Sequence, residues 1–240
     1  MSKKNTGAPA PTPAELVDDA RFGIDFLWRR WKRLLLAFVG VLLPLWGFGA
    51  LAEELHDGEA FFFDEPLLRL AHDLASHGWD RLFLLSSKLG YEWGVVPFDI
   101  ALVLVLAALR KRREGLFAGT ALVGSALLNL GAKRFFARER PSLWESIAPE
   151  STFSFPSGHA MGSMTLAVVL VLLAWRTRWR WWVAVPAVLF AVTVGLSRVY
   201  LGVHYPSDIL AGWAAATAWV VFVYLLVFAH GERPWRAATG

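Results

Sequence analysis

The chain has 240 residues, 56% of them hydrophobic, with 13 Trp residues and a formal net charge of +4. This apolar fraction exceeds the roughly 45–50% of a soluble domain, so the composition favours a polytopic membrane protein. A nucleic-acid-binding protein is not expected, because basic cytoplasmic loops account for the same charge. The lack of Cys excludes disulfides, thiolate catalysis and Cys-ligated metals.

The N-terminal part of the chain differs in composition from the rest. Residues 1–20 are predicted to form a disordered tail, because polar residues, Pro and Ala dominate there. Residues 21–33 are basic with interleaved Phe, Leu and Trp, a pattern typical of an amphipathic segment on the anionic cytoplasmic leaflet. Residues 34–230 are predicted to form one domain, and residues 231–240 a cytoplasmic tail.

Six apolar runs organise this domain, and each is close to the roughly 20 residues that span a bilayer core as a helix. They lie at residues 34–52, 91–109, 116–135, 160–175, 181–196 and 209–228. Residues 61–89 alternate apolar and charged side chains at helical spacing and are too charged to span. The predicted fold is therefore all-α: a six-transmembrane helix bundle with one or two amphipathic helices at the outer interface.

The distribution of basic residues predicts the orientation of this bundle. Of the 24 Lys and Arg residues, 16 lie in segments on the same side as the two termini. The positive-inside rule therefore places both termini in the cytoplasm. Three polar clusters, at residues 133–141, 155–159 and 197–208, then meet at the outer face.

The first cluster contains two cations that can bind an anion. Lys133 ends the third predicted span, and Arg140 follows seven positions later, directly before Pro141. Proline disfavours a helical conformation at Arg140, so we expect an extended loop that folds back toward Lys133. A guanidinium can bind phosphate oxygens in bidentate fashion, whereas Lys acts as a point charge. Alternatively, both are interfacial cations that snorkel to lipid phosphates.

The second cluster opens the fourth predicted span with Ser157, Gly158 and His159. Ser is a favourable N-cap, and the free N–H groups of a helix start form an anion site. Gly158 allows the backbone to approach a ligand closely. The alternative is that these residues form only a turn and a cap, with His159 as a polar interfacial residue.

The third cluster carries a candidate nucleophile. Arg198 ends the fifth span, and His204 and Asp208 stand four positions apart at the entry to the sixth. If this turn is helical, Asp208 accepts a hydrogen bond from one imidazole nitrogen and leaves the other free for attack. A structural His–Asp pair that closes a short loop is the alternative.

Together, three cations, backbone donors and two imidazoles provide what phosphoryl transfer requires: charge neutralisation, a nucleophile and a proton donor. No Mg²⁺ site is expected, because the outer carboxylates are scattered and the fixed cations would replace the metal. Asp99 lies inside the second span, where a buried carboxylate is functional by default. It could instead pair with a neighbouring helix near Asn129.

The pattern resembles the type 2 phosphatidic acid phosphatase superfamily over residues 67–228, and every motif position is filled. These positions are Lys133, Arg140, Pro141, Pro156, Ser157, Gly158, His159, Ser197, Arg198, His204 and Asp208. The resemblance implies that His204 attacks phosphorus and forms a phosphohistidine, that Asp208 orients His204, and that His159 protonates the leaving oxygen. It also implies that the phosphoryl oxygens are held by Lys133, Arg140, Ser157, Gly158 and Arg198.

The resemblance further implies a bacterial inner-membrane enzyme, without cofactor or metal, that hydrolyses a lipid phosphate or diphosphate on the periplasmic or extracellular side. Its partners would be the lipid substrate and bilayer lipids. Undecaprenyl diphosphate, phosphatidylglycerol phosphate and phosphatidic acid all fit, and the sequence does not indicate an oligomeric state. Vanadate-dependent haloperoxidases resemble the same motifs but are soluble. A transporter or binder of anionic headgroups would need the cations but no nucleophile.

Overall fold

A computed structural model describes residues 30–58, 60–229 and 234–235. Within this part of the chain there are eight α-helices and no strand, which confirms the all-α prediction. The helices are α1 Arg30–His56, α2 Asp64–Asp73, α3 His77–Leu89, α4 Val95–Ala108, α5 Arg112–Phe136, α6 Gly158–Ala174, α7 Arg180–Tyr200 and α8 Pro206–Val227.

The predicted N-terminal tail, the predicted C-terminal tail except residues 234–235, and most of the basic segment at residues 21–33 lie outside the described residues. Arg30–Arg33, the described end of that segment, form the first turn of α1 and are continuous with the first apolar run.

Four helices, α1, α5, α7 and α8, are long and apolar enough to cross a membrane. The other two predicted spans correspond to shorter apolar helices, α4 with 14 residues and α6 with 17. At 1.5 Å per residue these helices measure about 21 and 26 Å, less than the roughly 30 Å of a bilayer core. Length and composition thus support four of the six predicted spans.

The second predicted span begins later than the sequence pattern indicated. Residues 90–94 form turns, and α4 begins at Val95 rather than at Tyr91. A Cβ atom on Gly94 would lie 2.2 Å from the carbonyl oxygen of Leu89, so only glycine fits this tight return of the chain. Apolar character alone does not reveal such a turn, because Tyr91 and Trp93 extend the apolar run.

Pro44 in α1 is accommodated by a change of helix type. The five residues Phe38–Leu42 form a π-helical segment directly before it, closed by a bond from the Leu43 N–H to the Phe38 carbonyl. Since proline has no N–H to donate to the preceding turn, a local i→i+5 pattern redistributes the hydrogen bonds at this point. The helix continues without a break to His56.

The helix α6 lies at the centre of the bundle and packs against α5, α7 and α8. A core of fully buried side chains joins α5, α6 and α8, including Phe117, Val169 and Val220. In contrast, the outward faces carry large exposed apolar side chains such as Trp46, Phe135 and Trp182. An apolar core with an equally apolar exterior is the pattern of a bundle surrounded by lipid.

One or two amphipathic helices are predicted between residues 61 and 89, and the structure has two, α2 and α3. Both pack against α7, and α2 also contacts α8. The Tyr200 hydroxyl donates to Asp80 Oδ1 at 2.7 Å, and its ring lies 4.3 Å from that of Phe83. These contacts fix α2 and α3 over the end of the bundle where α7 stops and α8 begins.

Candidate active site

The predicted site residues converge at one end of the bundle, because α5 and α7 end there while α6 and α8 begin there. Lys133 lies in the last turn of α5 and Arg198 in the last turn of α7. The loop at residues 137–157 connects α5 to α6 and carries Arg140, and the short turn before α8 carries His204. The three clusters thus lie together at this end of the bundle, while its position at the outer face stays a prediction.

His204 and Asp208 form the predicted pair. Both side chains are fully buried, and His204 Nδ1 lies 3.3 Å from Asp208 Oδ2. The same oxygen accepts from the Tyr205 N–H at 2.9 Å and from the Ser154 hydroxyl. Because Asp208 is an acceptor, this geometry favours a proton on Nδ1 and a lone pair on Nε2.

The free nitrogen of His204 faces the basic cluster. Arg140 Nη1 lies 3.0 Å from Nε2, which suits a guanidinium donor and an unprotonated imidazole acceptor. Burial lowers the pKa of His204 to about 4, although the hydrogen bond and charge of Asp208 act in the opposite direction. The ring is therefore neutral at physiological pH, with Nε2 available as a nucleophile.

Arg140 and Lys133 meet as the Pro141 signal predicted. Thr152 Oγ1 accepts from Arg140 Nη2 at 2.9 Å and from Lys133 Nζ at 3.2 Å. Arg140 also donates to the Thr152 and Val203 carbonyls, both at 2.6 Å. The loop thus folds back over the end of α5 and clamps the guanidinium against the turn that carries His204.

Arg198 is the largest fully buried side chain of the described residues. Its Nη1 donates to Ser87 of α3 and its Nη2 to Glu150. Its Nε is buried without a hydrogen-bond partner in the described part of the chain. A buried guanidinium with an unused donor is prepared for a further acceptor.

The start of α6 has the predicted cap. Ser157 Oγ accepts from the Ala160 N–H, and this serine is completely buried. A Cβ on Gly158 would lie 3.1 Å from Asn129 Oδ1, so glycine permits the close packing of α6 on α5. The Ser157 hydroxyl is thus used as the helix cap. His159 lies two residues further along, at the wall of the cavity described below.

Sequence reasoning missed Glu150, which lies at the centre of the site. Its carboxylate is 2.6 Å from Arg140 Nη2 and also contacts Arg198. His159 Nδ1 lies 3.7 Å from Oε1, and His204 Nε2 lies 4.0 Å from Oε2. One carboxylate therefore stands between both imidazoles and both guanidinium groups.

The basic surroundings keep this carboxylate charged. Burial alone would raise the pKa of Glu150, but the charges of Arg198 and Arg140 outweigh burial and hold that pKa below its usual value. No signal in the sequence separates Glu150 from Glu139 and Glu145 on the same loop, because an irregular loop has no periodicity that would give side-chain direction.

Arg138 is a second residue that the sequence reasoning did not single out. Its Nη1 donates to Asp208 Oδ1 at 2.6 Å, and its Nη2 to Asp64 Oδ2 at 2.9 Å. Asp64 also accepts from the N–H and the hydroxyl of Ser207, at 2.8 and 2.6 Å. Arg138 therefore connects α2 with the carboxylate that supports His204. Its position two residues before Arg140 in a basic cluster was the available signal.

A cavity of about 710 Å³ opens from this site into the bundle between α4, α5 and α6. Lys133, Glu150 and His159 line its upper end, and Asp99, Ser125 and Asn129 are among the residues further along. The alternative of a pair between Asp99 and Asn129 is not supported, because both hydrogen bonds of Asn129 use Nδ2, to Pro156 O and Met161 Sδ.

Comparison with known proteins agrees with this geometry. The model of the PAP2 superfamily matches residues 114–232, a range that contains all three clusters. An undecaprenyl-diphosphatase from Sulfolobus acidocaldarius is 33% identical over 155 residues, which are 62% of this chain and 71% of that protein. The chain belongs to the PAP2 superfamily. The resemblance inferred from the motifs is thus confirmed, and the chain is a phosphatase of this family with membrane-spanning helices.

Two further comparisons, one of sequence and one of structure, cover most of the length of the matched protein. Phosphatidylglycerophosphatase B from Bacillus subtilis is 29% identical over 188 residues, covering 76% of this chain and 90% of the relative. The crystal structure of a transmembrane PAP2-type phosphatidylglycerolphosphate phosphatase from Bacillus subtilis superposes with a TM-score of 0.68 at 26% identity. That match covers 81% of this chain and 98% of the other.

Proposed function

We propose that this protein hydrolyses the terminal phosphate of a lipid phosphate or diphosphate at the outer face of the membrane, through a phosphohistidine on His204. The observation that carries the proposal is the position of the Glu150 carboxylate, between two guanidinium groups and two imidazoles. A site that holds a planar anion in this way can hold a phosphoryl group, which carries more oxygens and more charge.

Binding of the phosphoryl group would displace Glu150. Lys133, Arg140 and Arg198 carry three positive charges, and Glu150 offsets one of them in the free protein. A phosphate dianion would take over the contacts of Glu150 and offer an acceptor to the unpartnered Nε of Arg198. The backbone at Gly158 lies at the start of α6, where helix N–H groups favour an anion.

The first chemical step would transfer the phosphoryl group to the protein. The Nε2 lone pair of His204 forms a bond to phosphorus while the bond from phosphorus to the leaving oxygen breaks. The electron pair departs with that oxygen, which takes a proton from His159, whose protonated form the bound phosphate dianion would stabilise. Asp208 accepts from Nδ1–H and stabilises the positive charge that develops on the ring.

The second step would regenerate the free enzyme. A water molecule gives a proton to His159, now the base, and attacks the phosphorus of the phosphohistidine. The P–N bond breaks, its electron pair returns to Nε2, and inorganic phosphate leaves. The cations stabilise the charge on the phosphoryl oxygens in both steps, which is the main contribution that a protein makes to phosphoryl transfer.

The proposed side of the membrane follows from charge. The basic residues between α4 and α5 and between α6 and α7 lie at the opposite end of the bundle from His204. The positive-inside rule assigns that end to the cytoplasm, which leaves the site on the periplasmic or extracellular side. The shorter helices α4 and α6 would then complete six spans.

Purified protein in detergent tests the proposal, assayed for phosphate release from undecaprenyl diphosphate, phosphatidylglycerol phosphate and phosphatidic acid in the presence of EDTA. We expect release from at least one lipid and its loss in His204→Ala. Acid-labile ³²P on the wild type, absent from His204→Ala, would identify the phosphohistidine. Strict dependence on Mg²⁺ would contradict the role given to the fixed cations.

The alternative is a transporter or binder of anionic headgroups that uses the same cations. The alignment of His204 with Asp208 disfavours it, because binding alone needs no oriented nucleophile. Headgroup binding without phosphate release from any of the three lipids would support this alternative.

A further inference from the structure

The cavity below the phosphate site has polar side chains where a hydrocarbon chain would need none. Asn129 lies four residues before Lys133 on α5, about 6 Å along the helix, and Ser125 lies about 12 Å along it. Thr165 lies six residues after His159 on α6, about 9 Å along that helix. These residues form a polar belt in the cavity wall, about 6 to 12 Å along the helices from the phosphate site.

Asp99 of α4 belongs to the same belt. It lies one turn beyond Val95, whose Cγ1 is 3.8 Å from the position that a Cβ on Gly162 would take. The level of Asp99 is therefore close to that of Thr165, one turn after Gly162 on a helix that runs in the same direction. Both residues line the cavity.

The members of the belt differ in their unused hydrogen-bonding capacity. Ser125 and Thr165 contact each other at 2.7 Å, and Thr165 also donates to the Met161 carbonyl at 2.8 Å. Asn129 uses Nδ2 for its hydrogen bonds, so its carbonyl oxygen can accept. Asp99 Oδ1 is buried without a hydrogen-bond partner in the described part of the chain. Asp99 is thus the member of the belt whose buried oxygen most needs a hydrogen bond from a ligand.

A second cavity of the same bundle provides the contrast. It has about 760 Å³, lies between α1, α5 and α8, and is lined by residues such as Leu45, Phe48, Leu128 and Phe222. No charged or amide side chain is among the residues that line it. The bundle therefore forms apolar walls where hydrocarbon packs. The Asp99 carboxyl group, which lines the first cavity together with Glu92 and Glu150, requires a separate reason.

We propose that Asp99 selects lipid phosphates that carry a hydroxyl-bearing spacer, such as a glycerol or sugar unit, between the phosphate and the hydrocarbon chain. This inference rests on the proposed function and narrows its substrate class. A carboxyl group accepts hydrogen bonds from hydroxyl groups, which would give Asp99 the partner it lacks. A plain prenyl or alkyl chain would remove water from the carboxyl group and offer no hydrogen bond in return.

Two synthetic substrates test the inference: dodecyl glucoside 6-phosphate and an alkyl phosphate of the same overall length. We expect the wild type to have the higher kcat/KM on the sugar lipid. Asp99→Leu should reduce that preference by about 3- to 10-fold, the range of a hydrogen bond between uncharged groups. Asp99→Asn keeps an acceptor oxygen and should retain most of the preference.

Val96→Ala is the matched control, because Val96 lines the same cavity on the same helix without a polar group. Val96→Ala should change kcat/KM on the sugar lipid and on the alkyl phosphate by a similar factor. Equal losses on both substrates in Asp99→Leu, or a wild type that prefers the alkyl phosphate, would overturn the inference while phosphatase activity stands. No phosphate release from any lipid by the wild type would instead overturn the proposed function and this inference with it.

Discussion

Arg138 and Asp208 form a buried ion pair, with Arg138 Nη1 2.6 Å from Asp208 Oδ1. The other nitrogen of the same guanidinium lies 2.9 Å from Asp64 Oδ2, so one cation holds two carboxylates. Asp208 Oδ1 is occupied by this contact, and Oδ2 remains for His204 and Ser154. The ion pair thus fixes the rotation of the carboxylate that supports the nucleophile.

Arg138→Lys tests this positioning role. Lysine keeps the charge but cannot contact two carboxylates in fork geometry, so we expect kcat to fall about 10-fold. KM should stay nearly constant, because Arg138 contacts Asp64 and Asp208 rather than the Glu150 carboxylate in the phosphate site. Steady-state kinetics on the best lipid substrate measures both values.

Arg134→Lys is the control for Arg138→Lys, since Arg134 is exposed on α5 one residue after Lys133. It should leave kcat and KM unchanged. A rise in KM at constant kcat in Arg138→Lys would show that Arg138 binds substrate, and a positioning role would then be wrong.

The residues that the sequence identified are those at helix ends. Ser157 as a cap, Lys133 in the last turn of α5 and Arg198 in the last turn of α7 follow from local patterns that the structure obeys. Four helix ends meet at one end of the bundle. The predicted order and direction of the helices were therefore enough to predict that the motif residues lie close together.

The residues that the sequence did not identify lie on or face irregular backbone. Glu150 belongs to the loop at residues 137–157, where no period relates position to side-chain direction. Asp64 contacts Ser207 across 143 residues, and no local pattern encodes such a pairing. Loop conformation and long-range ion pairs depend on the packed structure, so they could not be predicted from one sequence.

Glu150→Gln should increase the affinity for free anions. The substitution removes the negative charge that competes with phosphate for Arg140 and Arg198. We expect the inhibition constant of inorganic phosphate or orthovanadate to fall about 10-fold, the effect of roughly 1.4 kcal/mol. Competitive inhibition of lipid hydrolysis provides the measurement.

Glu145→Gln is the matched control, because Glu145 is an exposed carboxylate on the same loop. Its inhibition constant should equal that of the wild type. An unchanged or weaker affinity in Glu150→Gln would mean that Glu150 leaves the site before anions enter, and competition would be excluded.

The pH dependence of kcat/KM should reflect the neutral state of His204. Its pKa is lowered by burial to about 4, so protonation removes the nucleophile only below that pH. A free imidazole with a pKa near 6.5 would be about 97% protonated at pH 5. We therefore expect the His204 ionisation to leave activity at pH 5 unimpaired.

Asp208→Asn tests the His204–Asp208 pair, because the direction of its effect on the pKa of His204 is known. Asp208 raises the pKa of His204, so its removal shifts the acid limb of His204 to lower pH or leaves it in place. The rate should still fall at every pH, since the imidazolium loses its supporting charge. An acid limb that moves to higher pH would contradict the assigned pair.

Gly195→Ala tests the packing that brings Arg198 close to the start of α8. A Cβ on Gly195 would lie 2.4 Å from Trp213 Cζ2 and 2.8 Å from Ile209 Cγ2, so α7 and α8 would have to separate. Overpacking of this kind costs about 1–3 kcal/mol. We expect a lower Tm in detergent and a reduced kcat, because Arg198 lies one turn after Gly195 and Asp208 directly precedes Ile209.

Gly119→Ala serves as the comparison for this last substitution, because a Cβ at Gly119 would meet no atom within 4 Å. Alanine there should leave Tm unchanged or raise it slightly, since it favours the helix over glycine. Tryptophan fluorescence during heating can follow both variants. An equal Tm for the two variants would show that α7 and α8 adjust without loss of stability. The close contact at Gly195 would then not be what holds Arg198 near the start of α8.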